Sequence, residues 1–199
     1  MTITSEAVKT LRVKTGAGMM DCKKALVEAE GSEEKAIEFL RKRGLAHVAK
    51  RSGREAKEGL IDAYIHIGSK LGVMVELNCE TDFVANTDEF KELARNISLH
   101  VAASNPLAIS REEIQPDLIE KEKEIYKGQI EESGKKKPPD ILEKILTGKL
   151  EKFYTENCLL EQAYVKDTEK TIGDLVTEAA AKLGENIMLR RFSRLKVGE

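Results

Sequence analysis

Leu71-Gly72-Val73-Met74-Val75-Glu76-Leu77-Asn78-Cys79-Glu80-Thr81-Asp82-Phe83-Val84-Ala85-Asn86-Thr87-Asp88-Glu89-Phe90 is the stretch that decides the fold. Val73, Val75, Leu77 and Cys79 alternate with their neighbours, the period-two pattern of a strand with one buried face. Phe83 then stands where a turn is due, beside the carboxylate of Asp82. Turns run over solvent, so an aromatic there is either folded back into the core or offered to a partner, and the pattern leaves both open. Asp82 is also suited to cap the helix that follows. That helix starts at Thr87, carries Asp88 and Glu89 in its positive first turn, and aligns Phe90, Leu93, Ala94, Ile97 and Val101 on one stripe until Ser104-Asn105-Pro106 ends it.

Upstream, Ile61, Ala63, Ile65 and Ile67 alternate before Gly68-Ser69-Lys70-Leu71-Gly72, which predicts a β-hairpin whose apolar face needs a helix over it. Downstream, Ser110 and Glu113 have capping-box spacing, and a strongly charged helix is expected over about Pro116 to Glu132. Gly134 and Pro138-Pro139 break it. Asp140 then caps a helix bearing Ile141, Leu142, Ile145, Leu146, Leu150, Phe153 and Tyr154, and the short break makes the pair an antiparallel arm over about residues 116–156. A strand around Leu159 to Val165, a helix from Thr171 to the stop at Gly184 and a strand from Ile187 to Val197 follow, the last completing a sheet of three.

The amino end reads as three short helices. Val8 and Leu11 mark the first; Cys22, Ala25, Leu26 and Ala29 line the second; the third opens at the N-cap Ser32, turns Ala36, Ile37 and Leu40 inward and stops at Gly44. Residues 46–58 carry too few large apolar side chains to bury and read as a linker, in part helical. The expected organisation is therefore α+β: a three-helix domain over 1–45, the linker, and a core over 59–199 with its small antiparallel sheet, covering helices and arm.

With 33 basic and 35 acidic side chains among 199 residues, no global field favours nucleic acid or an anionic membrane. Cys22, Cys79 and Cys158 are odd in number and widely spaced, so neither a disulfide framework nor a zinc site is indicated. Met1 to Lys9 lacks a leader pattern, and no apolar run approaches the ~18 residues of a membrane helix, so a cytoplasmic protein is expected. His47, His66 and His100 have no nucleophile or ligand partners at useful spacing, and they read as surface or packing residues. Gly16-Ala17-Gly18 runs into Met-Met-Asp-Cys and not into the Gly-Lys-Ser/Thr of a phosphate loop. Lys135-Lys136-Lys137 reads as a solvated tip. Nothing points to catalytic residues, a cofactor or a bound metal.

The run Glu80-Thr81-Asp82-Phe83-Val84-Ala85-Asn86 resembles the second signature of the bacterial elongation factor Ts family. Leu11-Arg12 followed by Thr15-Gly16-Ala17-Gly18-Met19-Met20-Asp21-Cys22-Lys23-Lys24-Ala25-Leu26 is similar to the first, and the two occur in the family's order. The resemblance spans almost the whole chain, to Gly198. It implies a UBA-like amino-terminal domain and a guanine nucleotide exchange factor for elongation factor Tu that performs no covalent chemistry. It also implies that Thr81, Asp82, Phe83 and Val84 dislodge Mg2+ from the partner, and that Arg12, Met19 and Met20 dock against it. Two departures stand out. Asn86 replaces a more usual basic residue, and the length leaves one core subdomain where long members carry two, for which short members are expected to compensate by pairing as a homodimer. The rival reading is a helical adaptor that binds ubiquitin-like or peptide partners through its first domain.

Overall fold

The computed structural model describes residues 3–132 and 138–199, so the break expected at Gly134 and the Lys135-Lys136-Lys137 tip lie outside the described residues. Helices α1 (Ser5–Thr15), α2 (Met19–Glu28) and α3 (Glu33–Arg51) come first. The Thr4 hydroxyl accepts the Ala7 N–H to start α1, and Ser32 accepts the Lys35 N–H to start α3. Gly16, at φ 67°, closes α1 by donating its N–H to the Arg12 carbonyl, a left-handed cap that favours glycine. Val8, Leu11, Cys22, Ala25, Leu26, Ala29 and Ala36 form the core of the three helices, with Phe39 and Leu40 packed against it.

Two details differ from expectation. Ile37 is exposed, and α3 runs through Gly44 to Arg51, across the start of the segment read as a linker. A glycine inside a helix costs only about 1 kcal/mol. Here it permits a close approach, because a Cβ at position 44 would sit 3.2 Å from that of Ala181.

Strands β1 (Glu58–Ile65) and β2 (Leu71–Cys79) form the hairpin, followed by the one-turn α4 (Asp82–Ala85) and by α5 (Asp88–Ser104). The arm is α6 (Pro116–Glu132) with α7 (Pro139–Asn157); α7 is capped by Pro138, and Asp140 lies inside its first turn. Then come β3 (Ala163–Tyr164), β4 (Asp167–Thr171), α8 (Ile172–Leu183) and β5 (Met188–Lys196). The main sheet has the order β1-β2-β5, and β3 pairs with β4 in a separate two-stranded sheet. The strand expected from Leu159 to Val165 is thus shorter, since Leu159–Glu161 forms a 3-10 turn. β4, Asp-Thr-Glu-Lys-Thr, has no apolar residue and left no pattern to read.

The described residues fall into two compact units. One joins the amino-terminal helices to Asn78–Lys91 and Val176–Met188; the other comprises Ile61–Leu77, Glu92–Leu175 and Leu189–Glu199. In the second, Val73, Val75 and Leu77 of β2 and Ile97 and Val101 of α5 are fully buried, each worth about 1.5–3 kcal/mol of apolar transfer. The face of β1 is the reverse of the expected one: Ile61 and Ile65 are both 64% exposed. Asp62 and Tyr64 turn toward α5 instead, where Arg95 pairs with Asp62 at 3.6 Å, donates to the Ala63 carbonyl at 2.9 Å and lies 5.0 Å from the Tyr64 ring centre. A charged pair and a cation–π contact cover the edge strand, so apolar alternation marked the wrong face.

At the base of the arm the Leu107 N–H donates to the Asn157 carbonyl and the Leu159 N–H to that of Ala108, both at 2.9 Å. Arg111 grips Glu151 through Nη1 and Nη2 (2.9 and 2.7 Å) and Glu161 through Nε (2.5 Å), over the Tyr154 ring. His100 is fully buried, with Nε2 2.9 Å from Gln162 Oε1 and Nδ1 accepting the Val165 N–H at 3.3 Å. Burial pushes its pKa below the ordinary histidine value, the Gln162 hydrogen bond opposing this only in part. Between the folded and unfolded values the unfolded chain holds the extra proton, so stability falls as pH drops through the ordinary histidine range. In urea titrations the wild-type midpoint should decline below about pH 6.5, and His100→Gln should remove that slope while costing roughly 1–3 kcal/mol at pH 8.

Candidate functional site

Thr81 is the N-cap of α4, extended at φ −130° and ψ 153°, and its hydroxyl accepts the Val84 N–H at 3.4 Å. Ala85 is buried and anchors the turn, while Phe83 points outward at 82% exposure. The ring is therefore not packed beneath α5. Asp82 is exposed and does not cap α5 either; Thr87 does, accepting the Phe90 N–H at 3.3 Å and donating to the Val84 carbonyl at 2.8 Å. Asn86 turns back and donates from its amide to the Asp82 carbonyl at 2.9 Å. Aromatic and carboxylate thus stand side by side on one hydrogen-bonded turn.

What fixes that turn was not visible in the sequence. The Glu185 carboxylate accepts the Glu80 and Thr81 N–H groups, both at 3.0 Å, and the Thr81 hydroxyl at 2.6 Å. In return the Glu80 carboxylate accepts the Asn186 N–H at 2.7 Å and Arg54 Nη1 at 3.2 Å, and the Asn186 amide donates to the Arg54 carbonyl at 2.8 Å. The paired residues are about 105 positions apart, so no local spacing announces them. Below the clasp, the Cys79 thiol donates to the Thr81 carbonyl, and burial, then the nearby Glu185 charge, pushes its pKa up to about 11. It is a packing residue and a poor nucleophile.

Arg12 in the last turn of α1 and Met19 and Met20 in the first turn of α2 flank the Gly16–Gly18 loop, all exposed, Met20 at 64%. Val13 beside them is 86% exposed and was not singled out in the sequence, since one exposed valine on a helix carries no pattern. Both patches belong to the same compact unit. Among the described residues no three His, Cys, Asp or Glu side chains gather as a metal could use them, and no helix is long and apolar enough to cross a membrane.

A family model described as elongation factor TS matches residues 6–199. Elongation factor Ts of Fervidobacterium nodosum is 58% identical over 199 residues, covering all of both chains. That of Thermoanaerobacter pseudethanolicus is 58% identical over 197 residues (99% of this chain, 96% of the relative), and that of Desulfosudis oleivorans 54% identical over 198 (100% and 99%). The class that follows is a translation elongation factor, not an enzyme that makes or breaks covalent bonds. Within that class, the chain belongs to the elongation factor Ts family.

The Asn186 N–H, then the Arg54 guanidinium, hold the Glu80 carboxyl below its ordinary pKa. A lowered carboxylate pKa gives stability that is present above the ordinary range and lost as pH falls through the folded value. Glu80→Gln should therefore be less stable than wild type in thermal melts at pH 7, and the gap should close as the pH is taken below about 4.

Proposed function

We propose that this chain is the cytoplasmic guanine nucleotide exchange factor for elongation factor Tu, that Thr81, Asp82, Phe83 and Val84 displace the partner's Mg2+, and that Arg12, Met19 and Met20 dock the amino-terminal helices on it. Family membership supports the exchange role. The observation that carries the mechanism is Phe83: a large ring left 82% exposed on a turn whose backbone is tied down on both sides. Burying such a ring recovers about 1.5–3 kcal/mol, which a partner's pocket can collect.

The chemistry asked of it is mechanical. Mg2+ demands near-ideal octahedral coordination, so moving the element that carries its ligands by about an ångström weakens the hold on nucleotide phosphates. Packed cores answer an inserted ring by shifting to a discrete alternative arrangement. A loss of ~3 kcal/mol in nucleotide affinity, expressed mainly in dissociation, accelerates release roughly a hundredfold. By linkage the nucleotide weakens the exchanger to the same degree, so incoming GTP drives it off and the factor is recycled.

The open face of the main sheet adds a proposal about assembly. A Cβ at Gly72 would lie 3.0 Å from Ile65, which puts Ile65 on the same face as Gly72 and, by alternation, Ile61 and Met74 with them. These side chains are more than half exposed, beside the Glu76–Arg191 ion pair. A three-stranded sheet with one bare apolar face favours a two-fold pairing of identical chains.

Two measurements test these readings. In stopped-flow release of fluorescent GDP from elongation factor Tu, Phe83→Ala should slow exchange by roughly ten- to a hundredfold while altering stability by under about 0.5 kcal/mol; exchange at the wild-type rate would return Phe83 to a packing role. In sedimentation equilibrium, the wild type should weigh twice its 22.2 kDa chain, and Ile65→Lys combined with Met74→Lys should be monomeric. A monomeric wild type at micromolar concentration would refute the pairing.

A further inference from the structure

Phe83 is 82% exposed, so the backbone of its turn sets where the ring stands; that backbone is tied by the Thr81 hydroxyl accepting the Val84 N–H, by the Asn86 amide donating to the Asp82 carbonyl, and by Glu185 accepting the Glu80 and Thr81 N–H groups. Glu185 follows Gly184, whose φ of 78° ends α8 and turns the chain toward the Asp82–Phe83 turn. One carboxylate there accepts three hydrogen bonds, two of them from Thr81, the cap of the very helix that carries the ring. Bonds to a charged acceptor are roughly twice as strong as neutral ones.

We propose that Glu185 is a positioning residue for nucleotide exchange, which acts through Thr81 to hold the Asp82–Phe83 turn in its inserting geometry before the GTPase arrives. The proposal rests on the reading of Phe83 as the wedge. A turn ordered in advance loses little freedom on insertion, so the binding energy of the ring goes into moving the partner's Mg2+ ligands. Without the carboxylate, the Glu80 and Thr81 N–H groups and the Thr81 hydroxyl lose their shared acceptor. Residues 80–83 would then have to be ordered during insertion, which corresponds to roughly ten- to a hundredfold in rate. Docking through Arg12, Met19 and Met20 is left as it was.

The test follows release of fluorescent GDP from the GTPase as the concentration of the full chain is varied, with wild type, Glu185→Ala, Glu185→Gln, Phe83→Ala and the double variant Glu185→Ala/Phe83→Ala. Glu185→Ala should lower the saturating release rate by roughly ten- to a hundredfold while shifting the half-saturating concentration by less than about threefold. Glu185→Gln, whose amide oxygen still accepts the two N–H groups, should recover most of that rate. In the Phe83→Ala background Glu185→Ala should have no further effect. The chain has no tryptophan, so Phe83→Trp is a single reporter, and its fluorescence anisotropy in the free chain should drop when Glu185→Ala is added.

If Glu185→Ala does not fold, Glu185→Asp, which withdraws the carboxylate by one methylene, takes its place with the same expectations. A wild-type saturating rate, an equal loss in the Phe83→Ala background, or an unchanged anisotropy would overturn the proposal. The two readings fail separately: normal exchange by Phe83→Ala defeats the wedge itself, whereas slow Phe83→Ala with normal Glu185→Ala defeats only the assignment of Glu185.

Discussion

A phenylalanine ring kept in water is the constraint around which this molecule is arranged. Hydrophobic transfer pulls Phe83 inward, and the surrounding chain resists it by making the backbone of the turn unable to fold back. Thr81 caps α4, Ala85 pins its far end, and the carboxylates of Glu80 and Glu185 cross-link the approach to the helix with the segment that leaves α8. Each bond is modest, about 0.5–1.5 kcal/mol net, or more where a charge takes part. Together they fix the backbone from which the ring projects.

Val73, Val75 and Leu77 of β2 build the interior of one compact unit. Because the side-chain period of a strand is two, burying one face fixes which residues the other face shows. The same rule leaves the opposite face of the sheet to be dealt with. Ile61, Ile65 and Met74 on that face are all more than half exposed in the single chain, the observation behind the proposed pairing.

Much of this could be read directly from residues. The apolar stripes of α2 and α5, the buried face of β2, the span of α6 and the stop at Gly184 follow from periodicity and capping, which act over neighbouring positions. The misreadings have a common origin in non-local contacts. β1 turns its isoleucines outward because Arg95, thirty-odd positions on, pairs with Asp62 and covers Tyr64. α3 runs on through Gly44, where the missing side chain lets Ala181 approach closely. β4 carries no apolar residue and pairs with β3 as its partner strand. In the proposed site, the Thr-Asp-Phe-Val run and the Met pair could be picked out as candidates, but their pattern alone left open whether Phe83 turned in or out. The clasp through Glu185 and Asn186 was invisible, since bonds across more than a hundred positions leave no mark on spacing.

If the ring works by disturbing a metal site, its effect must depend on the metal. The most direct measurement is GDP release from elongation factor Tu at saturating wild type and at saturating Phe83→Ala, in millimolar Mg2+ and again after its removal with a chelator. The account predicts a wild-type advantage of roughly ten- to a hundredfold with Mg2+ that shrinks toward unity without it. An advantage of the same size in both conditions would contradict it.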